Sequence, residues 1–434
     1  MTNRNNGAAG GARRPSPGVD GGQIDSARNA VTARSGLTYK SRVTSTAPTT
    51  ASGQTVELDV AIVGAGPAGA AAALALGGRG LRVGLIEKAV PPRYKTCGGG
   101  VLRRAVALLP LDVRAVVERE CHVAEFVHHG PPMRFACGRE QPIVSMVMRD
   151  RFDHLITTAA VQAGAQLFTG TTVREVTLGA DHVTLATGAG EFRVRFVIAA
   201  DGAASVVAKQ TGRPELRGVF PAFECEATFA ADAMAPLLRA ARFDFGLVPA
   251  GYGWVFPKRG HLSIGVGTTV RGAANLPQHY RRYLEVLGLG TPLHEERHGY
   301  LIPCRPRDGM FGAHRVLFAG DAAGLADPVT AEGITAGILS GQLAARAILA
   351  GEFAEAAVKR CYRAALEQTL LGELRIARWL AWVFYECPRL RTVLLKRHGQ
   401  RMTELMTKIV TGETTYSAAM RRPGNYLRLF RGGA

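Results

Sequence analysis

The sequence has no uninterrupted apolar run of the roughly 18 residues that a membrane-spanning helix needs. Its longest candidate, Val60–Leu76, is broken by glycines and by Pro67. The first fifty residues also lack the apolar centre of a secretory signal. We therefore expect a cytoplasmic protein without a membrane span.

Paired cysteines are absent as well. Seven cysteines, an odd number, are scattered along the chain without a Cys-x-x-Cys pair. Such a distribution indicates neither a disulfide framework nor a zinc site. We expect a reducing compartment and no bound metal.

Acidic residues are scarce relative to basic ones, because 53 Lys and Arg face 35 Asp and Glu, a formal net charge of +18. An excess of this size favours a polyanionic partner. The sequence contains no recognised nucleic-acid-binding motif, so we expect no nucleic acid and instead an anionic lipid or a diphosphate. A basic surface without such a partner is the alternative.

Large apolar side chains are nearly missing from residues 1–55, which are mainly Gly, Ala, Ser, Thr, Arg and Pro. A segment of this composition cannot bury enough apolar surface to offset its ordering entropy. We predict a disordered basic tail there. The whole chain of 434 residues is nevertheless 47% hydrophobic, which is typical of a globular protein with two or three domains.

What the sequence does contain is a βαβ dinucleotide-binding pattern over Leu58–Lys88. Gly64 permits a tight turn, Gly66 lets the backbone approach a pyrophosphate, and Gly69 lets helix and strand pack closely. The helix N-terminus offers N–H groups and positive dipole charge. Glu87 follows the second strand, where an acid that accepts a ribose hydroxyl is expected.

A second glycine-rich stretch follows this unit. Gly98–Gly100 have no side chains that would block a planar ligand. Three consecutive glycines lose much conformational entropy on folding, so we expect that a ligand approaches the backbone closely at this point. Cys97 stands immediately before them, either as a small buried hydrophobe or as a functional thiol. Val101–Leu109 is predicted to form a short helix.

Two later turns also point to a ligand. Arg149–Ala163 has helical spacing of apolar residues, and an apolar strand then ends at Asp201-Gly202. The predicted strand Arg315–Ala319 is followed directly by Gly320-Asp321. A helix is predicted from about Glu332 to Ala350, and its N-terminus, at Ala331–Gly333, faces the same region. A nicotinamide dehydrogenase needs only the βαβ dinucleotide-binding pattern. A chain that combines this pattern with both later turns is typical of a flavoprotein in which several segments surround FAD.

Between these turns, residues 205–310 alternate short β-like segments with loops and predict a separate antiparallel sheet, with a helix near Gln278–Leu287. Tyr252, Trp254 and Phe256 have period-two spacing and share one face. This face forms either a packed core or the lining for an extended apolar ligand.

The final 64 residues carry Trp379 and Trp382 and have twelve Lys and Arg against four Asp and Glu. An amphipathic basic helix with tryptophan favours peripheral contact with an anionic membrane. Helices packed on the substrate domain, with a solvated basic face, are the alternative.

These elements predict an α/β (mixed α+β) fold in which a Rossmann-like FAD-binding domain is interleaved with an antiparallel-sheet substrate domain and followed by a helical region. The predicted organisation is a tail at 1–55, FAD-binding segments at 56–204 and 311–350, the substrate domain at 205–310, and C-terminal helices at 351–434.

The motifs GAGPAG, RDRFD, ADG and GDAAGLADPVTAEGI, in this order, resemble those of FAD-dependent oxidoreductases with the aromatic-hydroxylase fold. YKTCGGG and GYGWVFPK narrow the resemblance to the geranylgeranyl reductase family. It covers roughly Glu57–Ala350 and continues weakly to TGETTYSAAM. One departure is Ala331, where related sequences often have glycine.

The resemblance implies which residues bind FAD: Gly64, Gly66, Gly69, Glu87, Lys88, Cys97, Gly98, Gly99, Gly100, Arg149, Asp201, Gly202, Gly320, Asp321 and Gly333. It places Lys95, Tyr252, Trp254 and Phe256 at the substrate. Reduction of an isolated C=C bond needs a positioned acid as well as hydride. Cys97, Tyr252 or a bound water would serve, with Cys97 favoured.

The implied activity is FAD-dependent saturation of a geranylgeranyl or other polyprenyl chain on a lipid or diphosphate, with NADPH or another reductant as electron donor. The head group and the donor stay open. A monooxygenase or halogenase shares the fold, and GYGWVFP has an outline like the halogenase signature WxWxIP. A non-catalytic prenyl-lipid carrier with structural FAD is the remaining alternative.

Overall fold

The computed structural model of the protein describes residues 55–213, 215–270, 275–307 and 311–421. The disordered tail predicted for residues 1–55 lies, except for Thr55, outside the described residues. Within them the strands are β1 Thr55–Val63, β2 Val83–Ile86, β3 Gly100–Leu102, β4 Val117–Cys121, β5 Val123–His129, β6 Pro132–Gly138, β7 Val144–Val147, β8 Gln166–Phe168, β9 Val173–Leu178, β10 Val183–Thr187, β11 Gly190–Ala199, β12 Val219–Thr228, β13 Ala241–Phe245, β14 Gly251–Pro257, β15 Leu262–Thr268, β16 His294–Pro303, β17 Gly312–Ala313 and β18 Val316–Phe318.

Helices connect and follow these strands. In the described part of the chain the α-helices are α1 Pro67–Leu76, α2 Arg103–Val106, α3 Arg149–Gln162, α4 Val206–Gln210, α5 Ala231–Met234, α6 Leu276–Leu287, α7 Ile334–Ala350, α8 Glu355–Leu366, α9 Gly372–Glu386, α10 Pro388–Thr411 and α11 Tyr416–Met420.

The first sheet contains the βαβ unit. Its central strands follow the order β18, β11, β1, β2, β8 and pair in parallel. These strands are almost continuously apolar and buried, as expected for a parallel sheet that helices cover. Because parallel strands end at one edge of the sheet, the turns after β1, β11 and β18 meet there.

Small residues let two helices approach each other beside this edge. The alanine-rich α1 packs against α7, and a Cβ atom at Gly341 of α7 would collide with the carbonyl of Ala68. A larger side chain at either position would push α1 away. The close packing therefore fixes the N-terminus of α1 relative to the loop before α7.

The second sheet has the order β16, β12, β15, β14, β13, β5, β6. Its pairs are antiparallel except for β13 and β5, which run in parallel. It includes two strands from residues 123–138, which the sequence analysis assigned to the FAD-binding segment 56–204. The predicted boundary at residue 205 therefore does not separate the sheets, because β5 pairs with the edge of β13.

A third, small sheet contains β3, β7 and β4. The short helix predicted for Val101–Leu109 is wrong over its first two residues, because Val101 and Leu102 pair with β7. Only Arg103–Val106 is α-helical. Pairing with another strand overrides the local helical preference of this segment.

The mixed α/β fold is confirmed, and three predicted helices are observed within two residues of their expected starts. α3 begins at Arg149, α6 at Leu276 and α7 at Ile334. Residues 355–420 are mostly helical. Among the described residues, no helix is both long enough and apolar enough to cross a membrane.

Candidate active site

One cavity of about 950 Å³ connects the edge of the first sheet, the second sheet and the C-terminal helices. Every site residue predicted from the sequence lines it except Gly69. We call the part around Gly64, Gly66 and Asp321 the cofactor end, and the part bounded by β5 and α10 the far end. The volume is near the upper limit for ligand pockets, so it suits more than one small ligand.

The glycine turn after β1 has the geometry of a phosphate-binding turn. Gly64 has φ +99°, and a Cβ atom there would meet the backbone of Ala200. Gly66 precedes the first residue of α1, and the nearest atom to its added Cβ, on Arg93, is 4.0 Å away. Gly69 packs against the carbonyl of Gly64 and does not face the cavity. The turn thus leaves the N-terminus of α1 open to an anion.

Glu87 is fixed below this turn. Its carboxylate accepts hydrogen bonds from the backbone N–H groups of Ala65, at 2.8 Å, and Ala89, at 3.1 Å. The glutamate is 4% exposed yet lines the cavity, whereas Lys88 is exposed at its rim. Glu87 is therefore held in a position from which a ribose hydroxyl can reach it.

Two arginines and Asp153 form a buried ion-pair network that the sequence analysis did not find. Arg149 binds Asp153 through two hydrogen bonds of 2.8 and 2.9 Å. Arg93 reaches Asp153 at 2.9 Å and Glu87 at 3.5 Å. Arg93 is thus paired with acidic side chains of the protein. The i,i+4 spacing of Arg149 and Asp153 on α3 was the available signal.

The Cys97–Gly100 segment crosses the cavity beside the aromatic strand β14. A Cβ atom at Gly98 would stand 2.8 Å from the Phe256 ring and 3.0 Å from Nε1 of Trp254. Cys97 Sγ accepts a hydrogen bond from the Gly99 N–H at 3.4 Å and also interacts with Arg149. The glycines therefore let this segment pack directly against Phe256 and Trp254.

The two later turns also meet at the cofactor end. Asp201 accepts a hydrogen bond from Val207 N–H at 3.1 Å, while its Oδ1 is buried without a partner, and burial raises the pKa of this carboxyl group. Asp321 accepts a 2.8 Å hydrogen bond from the hydroxyl of Tyr300. The cavity lining also includes Gly202, Gly320 and Gly333.

Lys95 lies over the ring of Tyr300, with Nζ 3.3 Å from the ring centroid. Burial lowers the pKa of Lys95 to about 8. With this pKa the side chain is still mostly protonated at physiological pH, but it loses its proton far more readily than an ordinary lysine does. Tyr300 was not among the predicted site residues, because it is one residue of a long strand and lies 205 positions away from Lys95 in the chain.

An aromatic wall covers one side of the cavity. Tyr252, Trp254 and Phe256 share a face of β14, as predicted, and lie beside Phe243 and Phe245 of β13. The Tyr252 hydroxyl donates to the Thr330 carbonyl at 2.6 Å, and burial raises its pKa. In this structure the hydroxyl proton of Tyr252 is held by this backbone contact, and the catalytic role of Tyr252 stays a prediction.

A buried acidic pair lies beside this wall, on the same face of the sheet. Glu224, 2% exposed, lines the cavity, and Glu226 binds Lys258 at 2.9 Å. Burial and the neighbouring Glu226 raise the pKa of Glu224 to about 7. Ser263 donates a 3.1 Å hydrogen bond to Glu224. The sequence analysis missed this pair, whose only signal was two glutamates at period two in an otherwise apolar strand.

The C-terminal helices complete the cavity. α9 and α10 contribute mainly apolar side chains to the lining, including Leu394, Met402 and Met406. Tyr416 of α11 donates a 3.0 Å hydrogen bond to Asp327, in the loop between β18 and α7. This region therefore forms part of the site, with its tryptophans Trp379 and Trp382 on the outer surface, 53% and 57% exposed.

The residues at the cofactor end fit FAD. The open N-terminus of α1 suits a pyrophosphate, and Glu87 is placed for a ribose. Two buried polar atoms without protein partners, Asp201 Oδ1 and Trp254 Nε1, border the cavity. Buried polar atoms normally have partners, so a polar ligand accounts for both. In the described residues no cluster of three His, Cys, Asp or Glu side chains is arranged to hold a metal ion.

Comparison with known proteins gives the same cofactor. A family model described as FAD binding domain matches residues 57–252. The geranylgeranyl diphosphate reductase of Rhodobacter capsulatus is 31% identical over 304 residues, which cover 68% of this chain and 76% of that protein. The menaquinone reductase of Mycolicibacterium smegmatis is 33% identical over 320 residues, with coverages of 68% and 76%.

Solved structures share the fold. A geranylgeranyl bacteriochlorophyll reductase-like protein from Thermoplasma acidophilum aligns with a TM-score of 0.66 at 22% identity, covering 87% of this chain and 99% of that one. A halogenase in complex with phloroglucinol and FAD aligns with a TM-score of 0.61 at 19% identity, covering 86% and 85%. At these identities the structures establish architecture alone.

Proposed function

Because the chain belongs to the geranylgeranyl reductase family of FAD-dependent oxidoreductases, we propose that it reduces carbon–carbon double bonds of a polyprenyl chain. One observation carries the proposal: a single cavity joins the cofactor end to the aromatic wall and to the apolar side chains of α10. A long hydrocarbon chain can enter such a cavity and bring a double bond beside Gly98–Gly100. The curated relatives named as reductases support the same reading.

When bound and reduced, FAD would supply the hydride for this reaction. The protein must then supply a proton to one alkene carbon, because an isolated alkene accepts hydride poorly unless this protonation develops positive charge on the neighbouring carbon that receives the hydride. The aromatic wall would exclude water from this carbon. A proton held inside the cavity is therefore a requirement of the proposed reaction.

We propose that Glu224 holds this proton on its carboxyl group. With a pKa near 7, half of the carboxyl groups are protonated at neutral pH. Tyr94 lies close enough to Glu224, Glu226 and Cys97 for their charges, after burial itself, to raise its pKa. Cys97 stays the proposed donor closest to the glycine segment.

An anaerobic single-turnover experiment tests the proposed function. Enzyme with dithionite-reduced FAD is mixed with a geranylgeranyl lipid in detergent, and flavin reoxidation is followed together with the mass of the lipid. We expect flavin reoxidation and a two-dalton gain for each saturated bond. Reoxidation only after oxygen is admitted would instead support the monooxygenase or halogenase alternative, and FAD that the lipid never reoxidises would support a carrier.

The same experiment with NADPH in place of dithionite tests the electron donor. We propose NADPH because the reaction consumes two electrons per bond, which a hydride donor supplies in one step. Flavin bleaching by NADPH would support it. A flavin that dithionite reduces and NADPH does not would assign the role to another reductant.

We also propose that the protein lies against an anionic membrane through a patch of four exposed apolar side chains: Trp379, Trp382, Leu390 and Val393, which are 45 to 57% exposed. Arg378, Lys396 and Arg397 are exposed on the same two helices. Trp379 also lines the cavity, so the patch adjoins its opening. Tryptophan beside basic residues is typical of a surface that rests in lipid headgroups.

Vesicle sedimentation tests this contact. Burying one large side chain is worth about 1.5–3 kcal/mol, so the double variant W382A/V393A should bind phosphatidylglycerol vesicles at least about tenfold more weakly. The matched control V286A changes a valine that is 42% exposed on α6, away from the patch, and should bind normally. Equal binding by both variants would remove the patch from the proposal.

A further inference from the structure

The Asp327–Gly333 loop, between β18 and α7, is closed by hydrogen bonds of its own. The Asp327 carbonyl accepts a 2.8 Å hydrogen bond from the Ala331 N–H. The Asp327 carboxylate accepts two more, from the N–H groups of Val329 at 2.8 Å and Thr330 at 3.2 Å. Asp327 is 5% exposed, so a buried carboxylate organises the loop from within.

Three tyrosine hydroxyls from three separate elements donate hydrogen bonds to this loop: Tyr252 of β14 to the Thr330 carbonyl at 2.6 Å, Tyr385 of α9 to the Val329 carbonyl, and Tyr416 of α11 to the Asp327 carboxylate at 3.0 Å. All three tyrosines are at most 5% exposed. Burial raises the pKa of each hydroxyl, so each one stays protonated and able to donate. The loop is therefore bonded to the second sheet and to two of the C-terminal helices.

The backbone of this loop needs such external contacts. Ala331 has φ +55°, in the left-handed region that residues with a Cβ atom avoid. A backbone of this kind persists only where the surrounding structure determines it. Val329 and Ala331 pack against the aromatic cluster that contains Tyr252 and Tyr385. The loop conformation therefore depends on the tyrosines as well as on its own hydrogen bonds.

The loop also borders the cofactor end of the cavity. Residues 329–334 line the cavity. A Cβ atom added at Gly333 would stand 3.1 Å from Oδ1 of Asp321, a residue predicted to bind FAD. Gly333 directly precedes α7, which packs against α1. A displacement of the loop would therefore change the space into which FAD fits.

We infer that Tyr385 and Tyr416 are positioning residues for FAD, because they fix the Asp327–Gly333 loop against the cofactor end. Two C-terminal helices then contribute to cofactor binding, although residues 351–434 lie outside the FAD-binding segments expected from the sequence. This role does not depend on which compound the reduced flavin acts on. It therefore goes beyond the proposed function and can be tested without a substrate.

Release of FAD from diluted holoenzyme tests the two hydroxyls separately. Y385F and Y416F keep the aromatic ring and remove only the donor. We expect the Kd for FAD to rise about 3- to 10-fold in Y385F, and about 10- to 100-fold in Y416F, whose hydrogen bond ends on a carboxylate. The two tyrosines lie on different helices, so each variant tests the role independently.

Y362F is the matched control. Tyr362 of α8 is 1% exposed, its hydroxyl donates to the Phe318 carbonyl at 2.7 Å, and its ring packs in the core of the first sheet. Y362F thus loses the same kind of buried hydrogen bond from a C-terminal helix without a contact to the loop. We expect its FAD affinity to stay within about twofold of wild type.

Two further measurements on the holoenzymes distinguish positioning from a general loss of stability. Hydrogen exchange of the backbone amides of residues 327–333 should be faster in Y385F and Y416F than in wild type and Y362F, because local opening of the loop becomes easier. The visible circular dichroism of the bound flavin should change in the first two variants only, because the flavin senses its surroundings.

Thermal melts show whether the variants are comparable. Variants Y385F and Y416F that melt with Y362F, yet release FAD more readily, would support the inference. Wild-type FAD affinity in both variants would overturn it. The same loss of affinity in Y362F would also overturn it, because the hydroxyls would then act only through the overall stability of the fold.

Discussion

The two ends of the cavity differ in how many of their buried polar side chains have partners within the protein. At the cofactor end, Glu87, Arg93, Asp153 and Arg149 form a network of ion pairs and backbone hydrogen bonds without any ligand. At the far end, His128 is 3% exposed and lines the cavity, and its Nε2 has no hydrogen-bond partner. The first end is preorganised, which suits a resident cofactor whose position must not vary. The second keeps donors available, which suits a substrate that enters and leaves.

The largest effect expected at the cofactor end comes from its first turn. G64A forces a side chain into the backbone of Ala200 at a φ of +99°, so purified protein should contain almost no FAD, measured as flavin absorbance per protein. G78A is the control, because Gly78 also has positive φ but open space around it. Its FAD content should be normal. Full FAD content in G64A would show that the turn does not bind the cofactor.

The ion-pair network provides the next test. R149M removes two charge-assisted hydrogen bonds but leaves Asp153 paired with Arg93, so it should lower the free energy of unfolding by about 2–3 kcal/mol, measured by denaturant unfolding. R151M, which breaks an exposed pair with Glu118, should cost less than about 1 kcal/mol. Similar losses in the two variants would mean that the cofactor end is no more preorganised than the surface.

The acidic pair lies between the two ends and titrates near neutral pH. The acid form of Glu224 is needed, so wild-type kcat should fall as pH rises through about 7, while Glu226 and Lys258 stay paired. E224Q should lower kcat about 100-fold and lose this pH dependence. S263A removes a hydrogen bond that lowers the pKa of Glu224 and should move the fall in kcat to higher pH. An E224Q variant with the wild-type rate and pH profile would assign the proton elsewhere.

The smallest effect concerns the loop that joins the ends. Ala331 has φ +55°, in the left-handed region that favours glycine, and its N–H donates to the Asp327 carbonyl at 2.8 Å. A331G should therefore raise the free energy of unfolding by up to about 1 kcal/mol. A364G, at an exposed position in α8, should lower it by about 0.5–1 kcal/mol. If A331G lowers the free energy of unfolding instead, packing of the Ala331 methyl group against the aromatic wall stabilises the protein by more than the backbone strain costs.

Local sequence patterns predicted the cofactor end well. Gly64, Glu87, Asp201 and Asp321 follow strands of the parallel sheet, and such strands all end at one edge, so spacing alone brought them together. The period-two spacing of Tyr252 to Phe256 likewise predicted a shared face. These features depend on the geometry of single strands and turns, which can be predicted from the spacing of residues along the sequence.

The remaining site residues depend on contacts between distant segments. Tyr300 reaches Asp321 from β16, and Tyr416 reaches Asp327 from α11, without any local pattern that connects the partners. The pairing of β5 with β13 moved residues 123–138 into the second sheet for the same reason. Long-range pairing of this kind is decided by packing, which a single sequence does not display.

The hydrogen bond from Tyr416 to Asp327 has a consequence for synthesis of the chain. The two residues are separated by 89 positions, so at 5–20 residues per second the ribosome makes Tyr416 roughly 4–18 s after Asp327. During that interval the aromatic wall has no α9 or α10 to cover it. The nascent protein is then most exposed to aggregation, and chains that stop before residue 388 should depend on chaperones for solubility more than the full-length chain does.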